Sequence, residues 1–327
     1  MDGAGEELAE LGITLEYVPA DDQVDPAVAP TVARKLIQDE AVVGVVGPIF
    51  SSTTTAAAPL FTEANMGFMS ISSATELTTH GWSFNRLEAN DDRQGTTIAE
   101  YAARTLGLKT IAVVDDGSLY GSGLASVVAT VATDNGMTVT TREQIDQKAD
   151  DYSAAISKIL ANGADAVFLG AGFTIEAAFN RQLREKGYDG VFFAPGGSLN
   201  TDYVAQAGPG SEGTYFTCPC APAPAFGGPA SGALADFVSA YTDAYSEPPQ
   251  AYAAESFDAA NLIIAALKAG RTDRAGVLAH VREANFEGVT KTYAFEPNGE
   301  LKGAGVNIYQ VKSGEIRWLG TSEELIQ

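Results

Sequence analysis

The sequence predicts an α/β protein of two lobes, each a parallel sheet flanked by helices. Three observations predict it. Short apolar runs alternate with helical stretches at the spacing of strand–helix units, which implies parallel sheets with helices on both faces. Several of those runs end in Gly, Ser or Thr just before a helix begins. The two halves follow one unit plan without an exact internal repeat, in a chain of 327 residues, long enough for two cores.

The first run, Ile13–Val18, reads as a strand. Asp25-Pro26 opens a helix through Ile37, with Asp as cap and Pro in the first turn. Val42–Val46 reads as a buried parallel strand; the chain then turns at Gly47-Pro48 and enters a helix at 56–63 behind Ser51-Ser52-Thr53-Thr54-Thr55. A helix N-terminus has unpaired N–H groups and a partial positive charge, so it can hold a carboxylate. Ser51 or Ser52 therefore either caps the helix or donates its hydroxyl to a ligand. The next run, from Gly67, ends in Ser72-Ser73-Ala74-Thr75. Ligands of open parallel sheets bind at the carboxyl ends of strands. Ser51/Ser52 and Ser73/Thr75 thus fall on one edge, a set of donors with no strong base, suited to holding a carboxylate and not to attacking one.

A short strand near 83–87 and a helix capped within Asn90–Gly95 and running to Thr105 come next. Thr110–Val114 is a strand, followed by the loop Asp115–Gly121 and a helix to about Asp134. Thr138–Glu143 is a strand, and Tyr152–Leu160 a helix capped by Asp150 or Asp151. Ala166–Leu169 ends in Gly170-Ala171-Gly172-Phe173 and leads to an amphipathic helix over 174–186. Val191–Ala194 ends in Pro195-Gly196-Gly197-Ser198. The Pro-, Ala- and Gly-rich stretch 218–229 reads as a linker. Helices follow near 233–245, 255–269 and 274–284, and then antiparallel strands over 293–319 with turns at Pro297-Asn298-Gly299 and Ser313-Gly314.

Composition narrows the function. Apolar residues make up 45% and charged residues 19%, which argues against disorder. A net charge of −22 argues against nucleic acid and against an anionic membrane surface as partner. No apolar run is long enough to cross a bilayer, and no secretory leader is visible behind Met1. Cys218 and Cys220, one residue apart, cannot alone make a zinc site and are expected as free thiols, because a bridge across one residue would be strained. Catalysis is disfavoured: a nucleophile needs a base in reach, and the histidines are His80 and His280 alone. Gly170-Ala171-Gly172 lacks the dinucleotide fingerprint spacing, and no cofactor or metal is expected.

Taken in order, Asp21-Asp22-Gln23-Val24-Asp25-Pro26, Val45-Val46-Gly47 with Ser51-Ser52, Ser72-Ser73-Ala74-Thr75, Asp116 with Tyr120-Gly121, Gly187 with Phe192, and Phe257-Asp258-Ala259-Ala260 make a pattern over nearly the whole chain. It resembles the type I periplasmic solute-binding proteins, in particular the leucine/isoleucine/valine-binding branch that serves ABC importers. The resemblance implies two lobes joined by three hinge crossings, closing over a ligand in the cleft. The crossings are expected near 88–91, 217–222 and 300–303, giving lobes of 1–89 plus 222–300 and 90–221 plus 301–327. It implies that Ser51, Ser73 and Thr75 hold a ligand carboxylate, that Tyr120 closes over the ligand from the second lobe and that Phe173 packs on the ligand side chain; Ser52, Ala74, Gly196 and Gly197 are expected beside them as ligand-binding residues. It also implies an importer permease as partner, a monomer, and a periplasmic or cell-surface lipoprotein location with the export signal outside this sequence. Two departures stand out. Gly196 or Gly197 occupies the position where amino-acid-binding members place an acid for the ligand ammonium, with Glu176, Asp202 and Asp116 as candidate substitutes. The family's first strand and most of its first helix are apparently missing. The alternatives are an aromatic or aliphatic carboxylic acid as ligand, or a ligand-sensing lobe of a receptor or regulator.

Overall fold

A computed structural model describes residues 2–326 and divides them into two compact units. The first unit combines Met1–Glu88 with Tyr252–Gly303, and the second combines Ala89–Ala251 with Ala304–Gln327.

In the first unit, helix α1 (Asp2–Glu10) buries Leu8, and its Glu7 pairs with Lys268 at 2.5 Å. Helix α2 (Ala29–Gln38) starts later than Asp25-Pro26 suggests: the Asp25 carboxylate accepts the Ala27 N–H at 2.7 Å, which makes a turn of 25–28. Strand β1 (Gly44–Val46), helix α3 (Ser51–Glu63), strand β2 (Gly67–Ser70) and strand β3 (Phe84–Arg86) follow, and the strands lie parallel in the order β1-β2-β3.

Residues 13–18 are not a strand, and the reason is pairing. Strands persist when backbone N–H and C=O groups find partners. Strand β1 pairs with β2 on one side only. Beside it lies a cavity of about 670 Å³ walled by Leu15, Val43, Val45, Ala57, Phe61 and Ile263. Residues 13–18 lie along this cavity without a ladder to join, and Tyr17 and Val18 are exposed. No strand precedes β1 among the described residues.

The second unit opens with α4 (Asp91–Glu100). Asn90 caps it by accepting the Arg93 N–H at 3.1 Å, and Asp91 and Asp92 lie in its first turn, where the helix dipole favours them. A π turn extends it to Thr105. Strand–helix units then alternate: β4 (Thr110–Asp115), α5 (Leu119–Asp134), β5 (Thr138–Gln144), α6 (Ser153–Asn162), β6 (Ala166–Gly170), α7 (Phe173–Glu185), β7 (Val191–Pro195), α8 (Thr201–Ala207) and β8 (Tyr215–Cys218). Helix α9 (Ala233–Tyr245) comes before the return to the first unit, which receives α10 (Ala253–Lys268), α11 (Arg274–Arg282) and the antiparallel pair β9 (Asn285–Glu287) and β10 (Thr292–Ala294). The second unit is completed by β11 (Asn307–Lys312), β12 (Glu315–Thr321) and the short α12 (Ser322–Leu325). Its sheet runs β12-β11-β8-β7-β6-β4-β5, parallel from β8 to β5, with β11 and β12 antiparallel at one edge. Ile111, Val113 and Phe168 on the sheet pack against Leu124 and Val128 of α5, all fully buried.

Two expectations are corrected here. Residues 222–251 belong to the second unit, not the first. The first residues of this stretch, with Cys220 just before them, are held by β11: the Ala223 N–H donates to the Tyr309 hydroxyl at 3.0 Å, Asn307 donates to the Cys220 carbonyl at 2.8 Å, and Phe226 meets the Tyr309 ring edge-on. Cys218 and Cys220 are joined in a disulfide, not free. The turn at Pro219 sets their Cα atoms 5.1 Å apart, inside the usual bridging range.

Helix α5 meets β6 where Gly121 faces Gly170, and a methyl group at Gly121 would collide with the Gly170 carbonyl and the Asp116 carboxylate. Gly121→Ala should therefore destabilise the protein by about 1–3 kcal/mol, the range for overpacking a filled interior. Urea unfolding of the variant against the parent checks this; an unchanged midpoint refutes it.

Candidate functional site

In the first unit the site residues sit at the carboxyl ends of β1 and β2. Gly47 leaves β1 with φ +123°, a conformation that suits glycine, and donates its N–H to the Met69 carbonyl at 2.8 Å. The Gly47-Pro48 peptide is cis. Side-chain hydroxyls pin this turn to the end of β2. The Ser70 hydroxyl donates to the Pro48 carbonyl, the Ser72 hydroxyl to the Ile49 carbonyl at 2.8 Å, and Thr54 and Ser72 share a hydrogen bond of 2.6 Å. Ser70, Ser72 and Thr54 are buried, so each bond answers a polar group that water does not reach.

Ser51 and Ser52 do not cap α3. Phe50 occupies the cap position and Ser51 is the first helical residue. The Ser51 oxygen instead accepts the Ala74 N–H at 3.2 Å, which leaves its own proton to donate elsewhere. This bond brings the two predicted loops together, with Ser51, Ser73 and Ala74 buried and Ser52 and Thr75 half-buried. Among the described residues, the N–H groups of Ser51, Ser52, Ser73 and Thr75 have no backbone partner, and the hydroxyls of Ser52, Ser73 and Thr75 have no side-chain bond. The α3 N-terminus and the 73–75 turn thus present several free donors and no base, which is an arrangement for an oxyanion.

One residue of this half is absent from the sequence reading. Arg86 on β3 is fully buried and donates to Glu300 at 2.9 Å, to the Ser72 carbonyl, and to the Ala74 carbonyl at 3.0 Å. The signal is an arginine in the short run Phe84-Asn85-Arg86-Leu87, read as a strand: an inward charge demands a partner.

In the second unit, β4 is followed outward by β5 on one side and by β6 on the other, so the strand order reverses between β4 and β6. Ligands of such sheets bind beside that reversal. The loops leaving it are 115–120 and 170–173, which carry Tyr120 and Phe173. Asp115 and Asp116 shape the first loop: Asp115 accepts the Gly117 N–H at 2.9 Å and Asp116 the Ser118 N–H at 2.9 Å, and Ser118 caps α5. Tyr120, half-buried, points its hydroxyl at Gln94 at 3.4 Å. Phe173 opens α7 and is half-buried. Gly196 is buried and Gly197 exposed in the turn after β7, where a Cβ on Gly197 would come within 3.9 Å of the Tyr120 hydroxyl. Tyr120 and Gly197 are therefore neighbours.

The three candidate acids of this unit differ in place. Asp202 is exposed in the first turn of α8. Asp116 is buried, and Glu176 is completely buried in the first turn of α7, one oxygen accepting the Ala171 N–H at 2.9 Å and the other without a hydrogen bond in the described protein. Burial pushes the Glu176 carboxyl well above its ordinary range; Asp116 nearby pushes it further, while Ser198 and the Ala171 N–H pull against this.

Free donors at strand ends in one α/β unit, and aromatic side chains at a strand-order reversal in the other, define a small-solute-binding protein. The chain belongs to the periplasmic binding protein family, whose model matches residues 4–315. It is 31% identical over 302 residues to a leucine-, isoleucine-, valine-, threonine- and alanine-binding protein of Pseudomonas aeruginosa, covering 91% of this chain and 79% of that one. The solved structure of a leucine-binding protein, LivK, of Thermotoga maritima superposes with a TM-score of 0.87 at 26% identity, covering 98% of this chain and 92% of that one. The branched-chain amino acid transporter substrate-binding protein LivJ of Streptococcus pneumoniae, crystallised with isoleucine, shares the fold with a TM-score of 0.84 at 22% identity, covering 98% of this chain and 93% of that one.

Glu176 yields a stability prediction. Burial raises its carboxyl pKa well above the ordinary value of 4.5 in the folded protein, whereas the unfolded side chain ionises near that value. The unfolded state thus binds fewer protons above that value, and stability falls as pH rises from there toward the folded pKa. Glu176→Gln removes the ionisation. The variant should melt higher than the parent near neutral pH, with the gap closing toward pH 4.5. Thermal melts across that range check it, and a gap that is constant with pH refutes it.

Proposed function

We propose that this chain is the solute-binding component of an ABC importer and that its ligand is a free amino acid with an apolar side chain. The observation that carries the reading is the set of free donors in the first unit. The Ser51 hydroxyl proton, the Ser73 and Thr75 N–H groups and the Ser52, Ser73 and Thr75 hydroxyls await an acceptor, and a ligand carboxylate supplies it. Tyr120 and Phe173 supply apolar surface for the ligand side chain. The binding specificities of the Pseudomonas and Thermotoga relatives support the choice of an apolar amino acid. The family supports an extracytoplasmic location, a membrane permease as partner, and action as a monomer that binds and does not transform its ligand.

One observation favours a second reading, an aromatic or aliphatic carboxylic acid. An amino acid brings an ammonium, and burying it without a partner costs several kcal/mol. Gly196 and Gly197 offer no charge, and burial of Glu176 disfavours its charged form.

Titration calorimetry with L-leucine and its 2-keto analogue separates the two. An amino-acid site binds leucine at least about tenfold more tightly, equivalent to about 1.4 kcal/mol. The reverse order selects the acid, and no binding by leucine, isoleucine, valine, the keto acid or benzoate overturns both. Thr75→Ala should weaken binding by about 1–3 kcal/mol, the cost of leaving a charged acceptor one donor short. Unchanged affinity would make Thr75 a turn residue only.

A further inference from the structure

We infer that Arg86, held by Glu300, is a positioning residue that aims the amides of Ser73 and Thr75 at the ligand carboxylate. This rests on the reading of that turn as the carboxylate site. In a trans peptide the carbonyl and the following N–H point in opposite directions. The Ser72–Ser73 and Ala74–Thr75 peptides are trans. Arg86 draws both carbonyls, Ser72 and Ala74, onto one guanidinium. The N–H groups of Ser73 and Thr75 are thereby turned away from Arg86 together, and neither has a backbone acceptor in the described protein. The intervening Ala74 N–H points to Ser51 at 3.2 Å. The alternation of peptide directions across 72–75 thus has a fixed cause on one side and unused donors on the other.

Glu300 holds the guanidinium in this pose. One of its oxygens takes the Arg86 Nε–H at 2.9 Å, and the other accepts the Thr78 hydroxyl at 3.0 Å. The turn is tethered at Ser72, Ala74 and Thr78 by a single ion pair. Glu300 reaches it because Gly299, at φ +88°, lies so close to β3 that a methyl group there would collide with the Phe84 carbonyl, while its own carbonyl accepts the Arg86 N–H at 2.9 Å. A lysine could keep the charge of Arg86 but lacks the planar fork that spans two carbonyls and a carboxylate.

Arg86→Lys and Glu300→Ala test the inference, with L-leucine and L-leucinamide as probes by calorimetry. Leucinamide lacks the carboxylate. Each variant should lose about tenfold or more in leucine affinity while leucinamide changes far less, so the preference for leucine collapses. Hydrogen–deuterium exchange on the ligand-free proteins should quicken over 72–79 and stay unchanged over β4 and β6. Equal losses for both probes, or no loss for either, overturn the positioning role. If the parent binds neither probe, the proposed ligand class fails, and exchange decides the inference alone: unaltered exchange at 72–79 in both variants overturns it. Should Arg86→Lys fail to fold, Glu300→Ala, which keeps the arginine, carries the test.

Discussion

Parallel strands cannot be joined by a tight turn; each needs a crossover, here a helix, before its neighbour can be laid down. That constraint orders both units. Every parallel strand followed by a helix places a strand end and a helix start at the same edge. The strand end brings carbonyls that have left the ladder, and the helix start brings N–H groups that have not yet entered one. The first unit uses this edge for donors, at Ser51-Ser52 and at Ser73-Ala74-Thr75. The second uses it at the reversal between β4 and β6, where the loops carrying Tyr120 and Phe173 begin.

The two edges manage buried polar groups differently. Around Pro48 the hydroxyls of Ser70, Ser72 and Thr54 bond to carbonyls and to one another, so the turn is rigid without charge. Arg86 introduces a charge with no access to water, and its hydrogen bonds go to Glu300 and to two loop carbonyls. Removing one partner of such a pair costs about 3–5 kcal/mol, because the other is left uncompensated. The loop conformation is thereby tied to the stability of the unit. In the second unit no ion pair among the described residues includes Glu176, and burial pushes its carboxyl well above the ordinary range.

The legible parts of the chain were those set by local pattern. The units from Thr110 to Pro195 announced themselves through buried runs with helices between them, and the structure has each strand and helix there, most shifted by a residue or two at an end. Ser51/Ser52 and Ser73/Thr75 could be assigned to one edge from their place after apolar runs, because strand ends can be located without knowing the sheet order, and the Ser51–Ala74 bond joins the two loops. Other features depend on partners that local pattern does not reveal. Ile13–Val18 has the composition of a strand but no ladder beside it. The stretch 218–229 read as a linker because Pro, Ala and Gly are frequent there, whereas its start is held by contacts with Tyr309 and Asn307, far along the chain. Ser51 looked like a cap; the cap position fell one residue earlier, on Phe50. Cys218 and Cys220 were judged by their spacing, but a turn at Pro219 brings their Cα atoms within bridging distance.

The question of ligand charge reduces to the second unit's carboxyls. Asp116 has one oxygen engaged by the Ser118 N–H and hydroxyl within its own loop. Glu176 has one oxygen without a hydrogen bond among the described residues, and burial raises its carboxyl well above the ordinary range. Glycine at 196 and 197 removes side-chain bulk beside Tyr120 without adding charge. Burial and Asp116 together oppose the charged form of Glu176, and a nearby cation would favour it. An ammonium next to Glu176 would supply that cation and draw the proton off. A ligand without one would leave the carboxyl as it is.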